Sequence, residues 1–248
     1  MGSNGGQLMS KFKHFLGLVL LGLSTQAKAE VLWDNWYTVT DHGHPDSYYN
    51  EKAELVGDKA KIQVNTWIKD GQKVHSEVLG EVAKNTQLLE PLFYNFQSQT
   101  LAGEPIVIDG SVVDKGKTFT VKKRTGAEAA KSLRAQMLPK LILSSFFPLW
   151  INKNYKRING VQPIEFQAIV EDQVDTEVPV AQGTAYEMRE DDFAKSTHTR
   201  KLRIEFNKIV AIWWVTSKGD ALKIEAHELE RVVKKTDRKT AENFFSAP

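Results

Sequence analysis

The sequence predicts a mainly β protein: a curved antiparallel meander or half-barrel with one or two short helices packed on it, after an N-terminal signal peptide. Three observations carry this prediction. Apolar and polar residues alternate with period two through most of the chain, as strands with one buried face require. Turn signals recur at short intervals, at Val56-Gly57-Asp58, Lys69-Asp70-Gly71-Gln72, Ile108-Asp109-Gly110 and Ile158-Asn159-Gly160. A single internal stretch, 126–138 (GAEAAKSLRAQML), combines high helix propensity with a following proline.

Residues 1–29 read as the signal peptide. Lys11, Lys13 and His14 precede a short apolar run, Phe15–Leu23, and Ala27-Lys28-Ala29 offers the small residues of a cleavage site before Glu30. Met9 is a natural start, so 1–8 read as an upstream extension or an expression remnant. The apolar run is short for a bilayer span. The whole chain holds 33 Lys+Arg and 31 Asp+Glu, but three of the lysines lie in 1–29, so the mature chain is close to neutral. That balance argues against nucleic acid as a partner. With no cysteine, neither disulfides nor lipid attachment at a lipobox is available. The expected product is periplasmic or secreted, not integral to the membrane, and folded as one β-rich domain over 30–230, with a charged helix or tail over 231–248.

Ile62, Val64, Thr66 and Ile68 share one face of a strand, and Val74, Ser76, Val78 and Val82 one face of the next, with Lys69–Gln72 as the hairpin between them. Further strands are expected at 117–123, 163–171, 180–188 and 200–206. The apolar stretch Leu141–Trp150 extends the helical region, so 127–147 reads as one interrupted helix or two short ones on the concave side of the sheet. A strand over 130–138 stays open, because propensity is a weak prior.

No motif of catalysis stands out. "DHGHPD" at 41–46 offers two histidines for a metal, but Gly43 and Pro45 make a polar hairpin loop the better reading. There is no G-x-S-x-G elbow and no P-loop spacing. Glu165 and Glu171 alternate on one strand and are assigned to its solvated face. A hydrolase is left only as a site that converges in space. No cofactor is expected and no metal ligand is assigned. The aromatic segments "EPLFYNFQ" (90–97) and "SSFFPLW" (144–150) are more informative. Their simplest role is core packing. The sharper expectation is a cavity lined from Phe93, Phe96, Phe146, Phe147 and Trp150 that takes a lipid or acyl ligand.

The C-terminal meander permits a register. A two-residue turn at Asn207-Lys208 pairs Phe206 with Ile209. A turn centred on Lys218-Gly219 pairs Val215 with Leu222. Trp213 then falls between Leu202 and Ile224 and is assigned to the core. Trp214 falls between Lys201 and Lys223, and Ile212 between Arg203 and Glu225. These are assigned outward, where Lys and Arg stems cover the stripe or where Ile212, Trp214, Lys201 and Lys223 form a contact surface for an envelope partner.

The stretches "WDNWYTVT" (33–40), "LPKLILSSFFPLW" (138–150) and "FNKIVAIWWVTSKGDALKIE" (206–225) resemble uncharacterised bacterial envelope β proteins of a domain-of-unknown-function type. In outline the order of elements is also similar to half-barrel lipoprotein and lipid carriers of the LolA type. This resemblance implies a curved antiparallel sheet round an apolar site and transfers no site residues. The expected function is that of an exported, non-enzymatic envelope protein binding an apolar ligand or an envelope partner. The alternatives are a scaffolding module that acts through its outer sheet surface and a cryptic periplasmic hydrolase.

Overall fold

The structure, a computed structural model, describes residues 29–82, 89–99, 104–138, 141–171 and 180–246, excluding the side chains of 78–82 and 89–90. The expected signal segment therefore lies outside the described residues, apart from Ala29. The described chain forms one fifteen-stranded sheet. Its first eight strands are β1 (Glu30–Asp41), β2 (His44–Val56), β3 (Lys59–Ile68), β4 (Lys73–Val82), β5 (Leu89–Gln99), β6 (Ile106–Val113), β7 (Thr118–Thr125) and β8 (Lys131–Gln136). They run outward as an antiparallel meander to the edge at β8. The chain then restarts at the opposite edge with β9 (Leu141–Leu143), a 3₁₀ turn at Ser144–Phe146 and helix α1 (Phe147–Asn154).

It returns through β10 (Ile164–Ile169), β11 (Val180–Glu187), helix α2 (Asp192–Thr197), β12 (Arg200–Phe206), β13 (Ile209–Val215), β14 (Ala221–Ala226) and β15 (Arg231–Thr236). β15 pairs with β1 and so joins the two halves of the sheet. The final elements are α3 (Arg238–Glu242) and a 3₁₀ turn at Phe244–Ser246. Among the described residues, only β9 and β10 pair in parallel.

The sheet curls around a single core. One buried cluster unites Ile62 of β3, Tyr94 of β5 and Phe119 of β7 with Ile142 of β9, Leu149 of α1 and Leu202 of β12. A flat sheet could not bring these together. β1 carries two register shifts against β2, at Val31/Trp33 and Val39/Thr40, and such bulges increase local bend and twist. Gly110 adds a close approach: the Phe119 ring lies over it, so that a Cβ there would meet Cζ at 2.4 Å.

Most expected strands are present, and Lys69–Gln72 links β3 to β4. Four expectations are corrected. First, 126–138 is not helical: 131–136 is an edge strand paired with β7. Leu133, Ala135 and Met137 alternate inward, while Ser132, Arg134 and Gln136 face solvent, so burial of one strand face overrides helix propensity. The exposed charges also guard the edge. Helix appears only at the end of the region expected for it, where Pro148 occupies the first turn of α1 without losing a hydrogen bond. Second, Ile108-Asp109-Gly110 lies inside β6 rather than at a turn. Third, 231–236 is a strand rather than a charged helix or tail, because it is paired on one side with β1 and on the other with β14. Fourth, Glu171 is 1% exposed rather than solvated.

The derived C-terminal register is present. Phe206 pairs with Ile209, Leu202 with Trp213 and Lys201 with Trp214, and on the other side Trp213 pairs with Ile224 and Trp214 with Lys223. It departs at one point, where a shift after Trp214 pairs Val215 with Ala221 instead of Leu222. The Asn207-Lys208 turn has φ of 49° and 66°, as a type I′ hairpin turn requires. Burial of the two indoles is the reverse of the assignment: Trp214 is 3% exposed and Trp213 is half-buried. The pairing is right, but a second layer covers the outer face.

Candidate functional site

That second layer is α2. Asp191 caps it, accepting the Ala194 N–H at 2.8 Å. The same carboxylate accepts the Trp214 Nε1–H at 3.1 and 3.2 Å and holds the Lys201 ammonium at 2.9 Å. Burial works against ionisation of Asp191, but the Ala194 N–H, Lys201 and Trp214 prevail and hold its carboxyl down at about 2. Phe193 meets the Trp214 ring edge-on at 5.7 Å, and the Lys223 ammonium lies 4.7 Å from its centroid. Of the proposed contact surface, Trp214 is thus covered by α2 and by Lys201 and Lys223 themselves. Ile212 is half-buried in the same strand.

Inside the curl, α1 fills much of the concave side. The fully buried Glu171 fixes its entry. Its carboxylate accepts the backbone N–H groups of Ser144 and Ser145, each at 2.9 Å, and the Ser144 hydroxyl at 2.7 Å. These are amides at the start of the helical segment, which local side chains leave uncapped. Burial pushes the Glu171 carboxyl up, while the donors from Ser144 and Ser145 oppose the shift. Along the side of α1, Gly219 approaches closely. With φ of +91°, it sits where a Cβ would lie 2.6 Å from the Pro148 carbonyl and 2.7 Å from the Asn152 nitrogen. Arg200 of β12 ties down the segment after α1. It pairs with Glu187 at 2.5 Å, donates to the carbonyls of Tyr155 and Ile158, and stacks on the Tyr155 ring.

Between α1 and the sheet remains an apolar cleft of about 320 Å³. Phe147 and Pro148 form one wall, and Phe166, Ile204, Phe206 and Trp213 the other. Phe147 meets Trp213 edge-on at 5.3 Å and Phe166 at 4.9 Å. A broader concavity of about 470 Å³ shares Phe166 and Phe206 with the cleft. It is lined largely by polar groups, including Glu165, Glu205 and Lys208, and so adjoins the cleft on a more polar side.

The structure brings together part of the expected cavity. Phe146, Phe147 and Trp150 do meet in the core, but only Phe147 lines the cleft, while Phe146 and Trp150 are packing residues at 0% and 7% exposure. Phe96 packs against the core without lining the cleft, and Phe93 lies on the opposite face of β5 from the buried Tyr94. Phe166, Ile204, Phe206 and Trp213 were missed as lining residues. Their inward alternation was visible, but the position of α1 over them was not.

Glu51 was missed altogether. It lines the cleft from β2, opposite Val64 of β3, and its Oε1 accepts the Trp33 Nε1–H at 2.8 Å. Burial pushes its carboxyl up to about 7; the Trp33 hydrogen bond opposes this and the negative charge of Asp220 adds to it. Around it lie the stacked rings of Tyr37 and Tyr49, 4.7 Å apart, whose phenols burial also pushes up. The buried Asp220 accepts from Asn35 at 3.0 Å and from Thr216, and pairs with the Lys235 ammonium at 2.9 Å. The cleft is therefore apolar along its walls and carries one raised carboxyl, beside a polar cluster that satisfies itself.

"DHGHPD" forms the β1–β2 hairpin, in which His42 Nδ1 lies 2.7 Å from the Asp41 carboxylate and Arg231 also pairs with Asp41.

These features define a β protein built on one curved open sheet, with an apolar cleft between the sheet and α1. Among solved structures, the chain is similar to a β-barrel-like protein of the domain of unknown function DUF1849 from Brucella abortus. The TM-score is 0.50 and the identity 8%, over 82% of this chain and 95% of that one. No family model matches the chain, and no curated protein does. At this identity the likeness shows the fold alone.

Proposed function

We propose that this chain is an exported, non-enzymatic envelope protein that holds an apolar ligand, a lipid or acyl group, in the cleft between α1 and β10–β13. One observation carries the reading. An apolar space of about 320 Å³ persists beside a helix that otherwise fills the curl of the sheet. Interiors are normally packed without such voids, and this volume falls at the lower end of the roughly 300–1,000 Å³ of ligand pockets. The architecture suits the same use as half-barrel carriers, and the N-terminal pattern of 9–29 supports export to the periplasm or beyond. No described helix is long and apolar enough to cross a membrane.

The test is native mass spectrometry of protein purified from its own host, together with titration of dodecanol into apo protein while tryptophan emission is followed. A co-purifying apolar molecule and a change in emission that Trp213→Phe removes are expected. Neither mass shift nor emission change would sink the reading.

A second reading, a scaffolding module acting through the outer sheet, has its own observation. Half-buried Trp36, Tyr48 and Trp67 stack across β1, β2 and β3 on the outer face, with centroids 5.1 to 6.5 Å apart. Crosslinking in cells from position 67 would capture a protein partner under this reading and none under the first.

A further inference from the structure

The cleft has a chemical polarity that narrows its ligand. Its walls are apolar, and its ionisable lining group among the described residues is Glu51. One carboxylate oxygen of Glu51 is engaged by Trp33 at 2.8 Å. Among the described residues, the groups that face it from neighbouring elements offer it no cation of its own. β1 and β2 present the phenols of Tyr37 and Tyr49, and the β13–β14 turn presents the carboxylate of Asp220. The one ammonium in this cluster, Lys235 of β15, is held by Asp220 at 2.9 Å. The serines at the cleft are turned to Glu171, which takes the Ser144 hydroxyl and both backbone N–H groups.

A carboxylate in apolar surroundings without a cation is complementary to a donor, above all a charged one, and repels a second carboxylate. From this arrangement we infer that the cleft selects a single-chain amphiphile with a protonated amine head, seated with its alkyl chain along Phe147, Phe206 and Trp213 and its ammonium on Glu51. The inference rests on the cleft being the ligand site and deepens that reading from any apolar ligand to one head-group class. A free fatty acid, the commonest acyl ligand, is the species the site disfavours.

The experiment compares three probes of equal chain length, decylamine, decanol and decanoate, by calorimetric titration of the full folded chain at pH 8, each below its micellar concentration. The wild type is expected to bind decylammonium more tightly than decanoate by at least about tenfold, the value of one charge-assisted hydrogen bond. Glu51→Gln should remove that preference while still binding decanol, which shows that the cleft is intact. Equal binding of decylammonium and decanoate by the wild type, or a preference that survives Glu51→Gln, overturns the head-group assignment and leaves the apolar-ligand reading standing. Binding of none of the three overturns both.

Discussion

The indole N–H of Trp214 donates to the carboxylate of Asp191, 3.1 and 3.2 Å from its two oxygens, and this bond joins the outer face of β13 to the cap of α2. A single side chain thus serves as helix cap, indole acceptor and partner of Lys201.

Asp191→Ala should therefore lower stability by roughly 1–2 kcal/mol, the range of a lost N-cap. For a domain of this size that is a fall of several degrees in Tm. Near-ultraviolet circular dichroism should report a changed Trp214 environment with unchanged strand signal. The pH dependence has a definite sign. The folded-state carboxyl is held at about 2, below its ordinary 3.8, so its contribution is present above pH 4 and is lost as pH falls through about 2. Acid titration of the wild type should show this step, and Asp191→Asn should lack it.

Glu171→Ala should be more costly, because it leaves two part-buried N–H groups, at Ser144 and Ser145, without their acceptor. Each unsatisfied donor costs about 1–3 kcal/mol. Urea unfolding should show a loss of roughly 2–4 kcal/mol, and hydrogen exchange at α1 should rise before exchange in β3. Uniform exchange across the fold would mean that Glu171 does not anchor the helix.

Glu51→Gln should stabilise the protein increasingly as pH rises from about 4.5 to about 7, and fully above that. The folded carboxyl is raised to about 7, so ionisation there is resisted by the fold. Its favourable linkage is complete at low pH and lost as pH rises through 7. The amide keeps an acceptor for Trp33 and removes the charge. The difference in Tm between variant and wild type should be a few degrees at pH 8.5 and near zero at pH 4.

Gly219→Ala should destabilise by about 1–3 kcal/mol, from positive φ and from contact with the α1 backbone. The paired control is Gly43→Ala, where φ is also positive (+76°) but a Cβ meets nothing within 4 Å. A smaller loss at Gly43, measured in the same thermal melts, isolates the packing component at Gly219.

The strands and much of their register are legible in the chain because both depend on nearest neighbours. Asn207-Lys208 can close only one short hairpin, and once it does, Leu202 must lie opposite Trp213; the turn at Lys218-Gly219 then sets Ile224 on its other side. The edge strand 131–136 carried the same signal in Leu133, Ala135 and Met137, but helix formers at 127–135 masked it. The site was less legible. Phe147 was expected to line it and does, whereas Phe93 does not, since alternation on β5 puts it on the face opposite Tyr94. Glu51 carries no local mark at all. It becomes distinctive only because Trp33 donates to it and the 3₁₀ turn and α1 place Ser144 and Phe147 beside the same cleft.

By itself, then, the sequence determined the β class, most strands and the C-terminal register, because period-two burial and turn chemistry act over a few residues. The tertiary structure alone decided which faces become interior. Trp213 and Trp214 lie on opposite faces of one strand, as alternation demands, yet the outward indole is the more buried because α2 folds over it. Likewise Glu51 and Glu171 acquire their raised carboxyls from burial by elements distant in the chain, the curl of the sheet for one and the buried junction of β10 with α1 for the other. Burial is a property of what covers a residue, and the covering element is chosen by long-range packing that no local pattern encodes.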